Sequence, residues 1–166
     1  MQGGDALEVP AVDIEVKANG NVFQHSVVAL RPQATDVEGD STSGRVRLRG
    51  CALASSQNDR SSYVLGVAMS DAGAGENVKV RVQGCVDVRT LGSAVALGDT
   101  LHLSTAGCLA KPPASSTDNT LATQGFRVLA WALEAGTPSG SNATDASTFK
   151  VCFNGLGWGQ DDYSEQ

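Results

Sequence analysis

The chain has 166 residues and a formal net charge of −6, with 41% hydrophobic and 5% aromatic residues. This composition fits one domain with an aliphatic core, and an acidic chain of this kind is not expected to bind nucleic acid. No apolar run approaches the roughly 20 residues that cross a bilayer, which argues against a membrane partner. Residues 1–5 carry neither the basic nor the apolar region of a secretion signal, so we expect assembly in a cytosol.

The N-terminal part is predicted to be an arm followed by a hairpin. Residues 1–11 are small, polar and acidic, as in an arm that is ordered only where something holds it. Residues 11–16 alternate weakly, and Asn19-Gly20-Asn21 is a strong turn signal, so residues 22–30 are predicted to be the return strand. The following residues 31–44 are rich in turn formers and are predicted to be a surface loop.

A clean alternation follows in residues 45–49, where Arg45, Arg47 and Arg49 are predicted to form a row on one face of a strand. One interpretation is a solvated strand face with acidic neighbours across the ladder. The other is a contact surface for an acidic partner, since the guanidinium offers planar, bidentate donors. Residues 50–62 are again predicted to be a loop.

The central region, residues 64–110, is predicted to hold strands and tight turns. Its alternating run at residues 78–84 predicts a strand with its valines inward, and Gly84 predicts a bend or bulge at its end. Residues 98–110 predict a further hairpin, with Leu101 and Leu103 inward and His102 exposed between them.

An internal repeat sets the fold class. Residues 64–69 align with residues 128–133, and residues 78–84 align with residues 149–155. Two like hairpins can bury their apolar faces together, which predicts an all-β chain folded as a small antiparallel β-barrel or sandwich. The predicted organisation is an arm at 1–11, the β-domain at 12–155 and an acidic tail at 156–166.

Four cysteines, Cys51, Cys85, Cys108 and Cys152, lie outside any CxxC motif, and none adjoins a histidine in sequence. This spacing argues against a zinc site. Buried free thiols are the default in a reducing compartment, although a disulfide stays open and sequence cannot choose its pairing. The strand alternation places Cys51, Cys85 and Cys152 on the face opposite the aliphatic row.

The remaining residues give no sign of catalysis. Glu76 and Asp99 each adjoin a glycine at a turn and are expected to cap it. No catalytic, phosphate-binding or metal-binding motif is recognisable, so neither an enzyme nor a cofactor is expected. The tail carries Trp158 and Tyr163. It is either a plain mobile tail or an anchor to a neighbouring molecule, in which the aromatic rings would contribute most.

The order of glycine- and valine-containing segments carries a resemblance to a known family. These segments are VLGVA at 64–68, AGE at 74–76 with the strand to Gly84, GDTL at 98–101 and VLAWAL at 128–133. The pattern resembles the capsid decoration (cement) proteins of tailed bacteriophages that are built on a small β-barrel, and related β-modules of head and tail fibres. The likeness covers about residues 22–155, and Trp131 departs from it, since a small or aliphatic residue is more usual there.

The resemblance implies a structural protein of the virion. It would sit on the outer surface of the capsid, bind the major capsid protein, associate with itself as a homo-oligomer such as a trimer, and hold capsomers together. Arg45, Arg47, Arg49, Trp158 and Tyr163 are then the candidate contacts to the capsid or to a second copy. Two alternatives stay open, a fibre or spike module that binds a host glycan and an enzyme or small-molecule binder.

Overall fold

The computed structural model describes residues 10–30, 37–40, 42, 45–48, 50–54, 63–112 and 128–154. Eleven strands and no helix are found in these residues. They are β1 Val12–Lys17, β2 Val27–Leu30, β3 Val37–Asp40, β4 Arg45–Leu48, β5 Cys51–Leu53, β6 Tyr63–Ala68, β7 Asn77–Leu91, β8 Thr100–Leu103, β9 Leu109–Ala110, β10 Val128–Ala132 and β11 Thr148–Asn154.

The C-terminal strands close into a five-stranded barrel, which we call the C-terminal ring. Its strands pair in the order β7, β11, β10, β8 and β9, and β9 returns to β7 through a short parallel ladder. The antiparallel β7–β11 ladder runs over seven register pairs and is the long seam of this ring. Closure removes the free edges that an open sheet of these strands would expose. The closed strand order confirms the prediction of an all-β barrel.

A second set of strands, which we call the N-terminal ring, shares β7 with the first. Here β1 and β6 flank the first half of β7, and β2 and β5 continue beyond β6. A parallel bridge between Ala18, just after β1, and Cys51 of β5 joins the two ends of this series. The amide of Asn19 donates to the Cys51 carbonyl at 2.8 Å at the same place.

Each ring encloses its own apolar core. Val28, Val78 and Val80 lie in the core of the N-terminal ring, whereas Leu101 and Phe153 lie in that of the C-terminal ring. Neighbouring residues of β2 and β6 belong to different cores, because successive side chains of a strand point to opposite faces. Strands β2 and β6 are therefore a wall between the two cores.

Strand β7 is the element that joins the rings, and it is longer than predicted. Its buried and exposed residues alternate along its length, with the valines inward as expected. Gly84 does not end the strand, although its φ of 116° is accessible to glycine and strained for other residues. A Cβ atom at Gly84 would lie 2.9 Å from the Ala11 Cα, so this glycine lets the chain before β1 approach β7 closely.

A ten-residue turn unit recurs at residues 18–27, 68–77 and 91–100, and its copies form hydrogen bonds with other units and strands in both rings. In each copy the eighth residue has a positive φ, and these residues are His25, Gly75 and Gly98. Each of these residues donates its amide to an alanine carbonyl of another unit or strand, at 2.7–2.8 Å. In two copies the next side chain caps the turn: Gly73 donates to Glu76 and Ala96 donates to Asp99, at 2.6 and 2.8 Å. The capping role predicted for Glu76 and Asp99 is thus confirmed.

The hairpin predicted around Asn19-Gly20-Asn21 is wrong. Strand β1 pairs with β7, and β2 pairs with β5 and β6, so β1 and β2 are not partners. The reason is that the turn pairs with its counterpart at residues 68–77, where Val22 and Ala72 exchange two hydrogen bonds of 2.9 Å. By contrast, the predicted β6–β7, β10–β11 and β8–β9 pairings are confirmed.

Further differences concern strand content and side-chain burial. Segments predicted to be loops hold strands β3 and β5. His102 is buried, because β8 is covered on both faces from Leu101 to Leu103. Cys51, which was placed opposite the aliphatic row, is a buried free thiol, as the default for a reducing compartment predicts, and it lies in the core of the N-terminal ring because β5 pairs with β2.

Candidate interaction surfaces

Arg45 and Arg47 of the predicted arginine row lie on a separate hairpin. Strands β3 and β4 pair only with each other among the described strands, and the register sets Arg45 opposite Asp40 and Arg47 opposite Glu38. Acidic residues therefore lie across the ladder, as the first of the two interpretations expects. Arg49, Trp158 and Tyr163 lie outside the described residues, so the structure brings together Arg45 and Arg47 of the five candidate residues.

An exposed apolar set lies on the C-terminal ring, and among its residues Trp131 was already singled out from the sequence. We call it the apolar patch: Leu97, Trp131 and Leu133, which are 71%, 39% and 42% exposed. The amide of Gly98 donates to the Ala132 carbonyl at 2.8 Å, which sets the turn that carries Leu97 beside the end of β10. Exposed apolar clusters of this kind mark interaction surfaces when they are large enough.

The outer face of β1 and β7 is occupied by polar contacts. Arg81 donates to both carboxylate oxygens of Asp13, at 2.7 and 3.0 Å, and to the Cys85 carbonyl at 2.9 Å. Asn77 donates to Glu15 at 3.1 Å on the same face. The Arg81 hydrogen bonds hold the pKa of Asp13 below its usual value of 3.8. These groups stabilise the β1–β7 pairing rather than offering free charge to a partner.

The Asp13–Arg81 pair gives a pH-dependent prediction. A carboxylate with a lowered pKa stabilises the fold above its unfolded pKa, and that contribution is lost as pH falls through the folded pKa. We expect Asp13→Asn to lower the free energy of unfolding by up to about 1 kcal/mol at neutral pH, the range of partly exposed pairs. The difference from the native protein should shrink as pH falls below 3.8. Urea unfolding of both proteins at several pH values checks this, and a difference independent of pH would contradict it.

Two thiols and one imidazole are buried without forming a reactive cluster. Burial raises the pKa of Cys51 and of Cys108 to about 11, and burial lowers the pKa of His102. These groups are therefore uncharged at neutral pH. Within the described ranges no three His, Cys, Asp or Glu side chains are placed to hold a metal ion. In the same part of the chain, no helix is long and apolar enough to cross a membrane.

Comparison with known proteins places the fold in context. A family model described as "Phage cement protein" matches residues 7–142, which span β1 to β10. No curated protein matches the chain. Among solved structures, the chain is similar to the head fiber gp8.5 N base of bacteriophage phi29, with 16% identity and a TM-score of 0.49. That similarity covers 88% of this chain and 96% of the other.

Proposed function

The chain belongs to the phage cement protein family, and we propose that it binds the outer surface of a phage head and stabilises the contacts between capsomers. Its partner in this proposal is the major capsid protein, and it acts as a homo-oligomer, with a trimer as the first arrangement to test. The observation that carries the proposal is the family match over residues 7–142. A protein of this kind is a structural component of the virion capsid.

Several ionisable groups of the described residues are buried or already paired within the fold, which supports a structural role. The buried thiols have raised pKa values, and the outer carboxylates of β1 are held by Arg81 and Asn77. A net charge of −6 keeps such a protein soluble until it meets its partner. We propose that it acts without catalysis and without a cofactor.

The proposed contact to the shell is made by Arg45 and Arg47 of the β3–β4 hairpin, together with Arg49. Among the described strands this hairpin pairs with neither ring. Arginine is suited to bidentate contacts with carboxylates of a partner. We further propose that Trp158 and Tyr163 anchor the tail to a neighbouring molecule.

Charge reversal tests the arginine contact. We expect Arg47→Glu to weaken binding to undecorated heads by about tenfold or more, because losing one partner of a charge pair costs about 2 kcal/mol or more when the pair is buried by binding. Lys150→Glu, the same charge change at an exposed site of the C-terminal ring, is the matched control. Cosedimentation with heads over a range of protein concentrations measures both, and equal occupancy by the two variants would rule out this contact.

A glycan-binding fibre module is the second candidate. The 39% exposure of Trp131 favours it to a limited extent, since aromatic faces commonly form sugar-binding platforms. A glycan-array signal from the isolated protein that is lost in Trp131→Ala would support this candidate. Binding to heads that Trp131→Ala leaves unchanged, with no glycan signal, would support the capsid role.

A further inference from the structure

Two of the four cysteines face each other across the seam of the C-terminal ring. Cys85 of β7 and Cys152 of β11 are direct register partners in the antiparallel ladder. Cys85 is exposed and Cys152 is half-buried, and both are free thiols, whereas Cys51 and Cys108 are buried. Residues directly opposite in a ladder carry their side chains on the same face, so the two thiols share the outer face of the ring.

The hydrogen bonds of the ladder fix which kind of pair this is. Thr90 donates its amide to the Ser147 carbonyl at 2.9 Å, one step beyond the pair of Arg89 and Thr148. Hydrogen-bonded and non-hydrogen-bonded pairs alternate along an antiparallel ladder. Arg89 and Thr148 are therefore a non-hydrogen-bonded pair, and so are Cys85 and Cys152, four steps further along.

Two bonds that leave the ladder confirm this assignment. The Arg89 amide donates to the His25 carbonyl at 2.9 Å, away from β11. The Lys150 carbonyl accepts from the Leu133 amide at 2.9 Å, away from β7. Arg89 lies four residues from Cys85 on β7, and Lys150 lies two residues from Cys152 on β11. The Arg89 amide and the Lys150 carbonyl both point away from the β7–β11 seam, as the backbone groups of a non-hydrogen-bonded pair do.

A non-hydrogen-bonded pair brings the two thiols within bonding reach. The Cα atoms of such a pair lie about 4.5 Å apart, with the side chains closer than at a hydrogen-bonded position. A disulfide spans Cα separations of about 4.4–6.8 Å. A separation of about 4.5 Å lies at the short end of that range, so the ladder holds Cys85 and Cys152 within reach of a disulfide.

We propose that Cys85 and Cys152 are a dithiol modification site that a low-molecular-weight disulfide, such as oxidised glutathione, converts to a cross-strand disulfide. The exposed Cys85 thiolate attacks one sulfur of glutathione disulfide, and glutathione thiolate leaves. The Cys152 thiolate then attacks the Cys85 sulfur and expels the second glutathione. Two thiols are oxidised, one glutathione disulfide is reduced, and the two protons pass to the released glutathione molecules.

The disulfide would stabilise the closed C-terminal ring. Strands β8, β9 and β10 all lie between residues 85 and 152 in sequence, so the covalent loop encloses them. Cross-linking restricts the unfolded chain and raises stability. The thiols would stay reduced in a cytosol and close in an oxidising environment. This inference rests on the ladder and is independent of the proposed capsid role.

Oxidation of the full-length protein by oxidised glutathione tests the site. We expect the intact mass to fall by two hydrogen atoms, and a peptide map to join the Cys85 and Cys152 peptides. Two thiols should then react with an alkylating reagent after denaturation, and the thermal midpoint should rise by several degrees until dithiothreitol reverses it. In Cys152→Ser the same treatment should leave one glutathione attached to Cys85.

Three outcomes would overturn the proposal. They are an unchanged mass, a glutathione adduct that persists on Cys85 in the native sequence, and a disulfide that involves Cys51 or Cys108. Because these three outcomes are all read on the native sequence, they do not depend on whether the Cys152→Ser variant folds. Binding to heads does not enter the test, so its failure would leave the proposed function standing.

Discussion

Gly66→Ala is expected to lower the free energy of unfolding by about 3 kcal/mol, at the upper end for an added methyl group in a packed interior. Gly66 lies in β6, in the wall between the two cores. A Cβ atom there would be 2.4 Å from the Arg81 carbonyl oxygen and 2.7 Å from Val80 Cγ1. The first of these atoms is backbone, so β6 would have to move away from β7, the strand that the two rings share.

Gly20→Ala is the matched control for this substitution. A Cβ atom at Gly20 would meet nothing within 4 Å, so its effect should stay within about 0.5 kcal/mol. Urea unfolding followed by circular dichroism measures both variants. Equal unfolding midpoints for Gly66→Ala and the native protein would show that β6 and β7 are not packed as described.

Leu101→Ala is expected to cost about 2–5 kcal/mol, because it removes a buried side chain and leaves a cavity. Leu101 is fully buried in the core of the C-terminal ring. Leu97 lies in the turn unit just before it and is 71% exposed, so Leu97→Ala should change stability by less than about 0.5 kcal/mol. Chemical unfolding of the two variants compares the same substitution four residues apart.

A result in which both leucine variants lose the same stability would contradict the placement of Leu97. It would indicate that the apolar patch is covered in solution, by a second copy for example. Measuring the two variants over a range of protein concentrations separates these cases, since stability gained from association depends on concentration.

Local pattern was sufficient to predict much of the barrel. The alternation of residues 78–84 predicted the buried valines of β7, and the repeat predicted the pairing of β6 with β7 and of β10 with β11. These features depend on residues close in sequence or on an internal copy. The sequence signal is strong there because one face of each strand meets a core.

Long-range partners were not predictable in the same way. The Asn19-Gly20 signal favoured a local hairpin, but the turn pairs with residues 68–77 instead. The turn unit at residues 18–27 was also hidden, because His25 stands where its counterparts have Gly75 and Gly98. His102 and Cys51 are buried by strands that are distant in sequence. The alternation of a residue's own segment carries no information about such strands.

The candidate surfaces divide in the same manner. The strand that holds Arg45 and Arg47 followed from alternation, whereas the acidic residues opposite them required the β3–β4 register. The exposure of Trp131 and Leu97 depends on what covers each element, which a single sequence does not encode locally. The opposition of Cys85 and Cys152 did not follow from the repeat, and only the register of β7 and β11 established it.

Binding of the purified protein to phage heads that lack it tests the proposed function most directly. We expect saturable binding at a copy number that matches the symmetry of the capsid lattice, with decorated heads that withstand higher temperature than bare ones. Absence of binding, or saturation at a few copies per head without a gain in head stability, would contradict it.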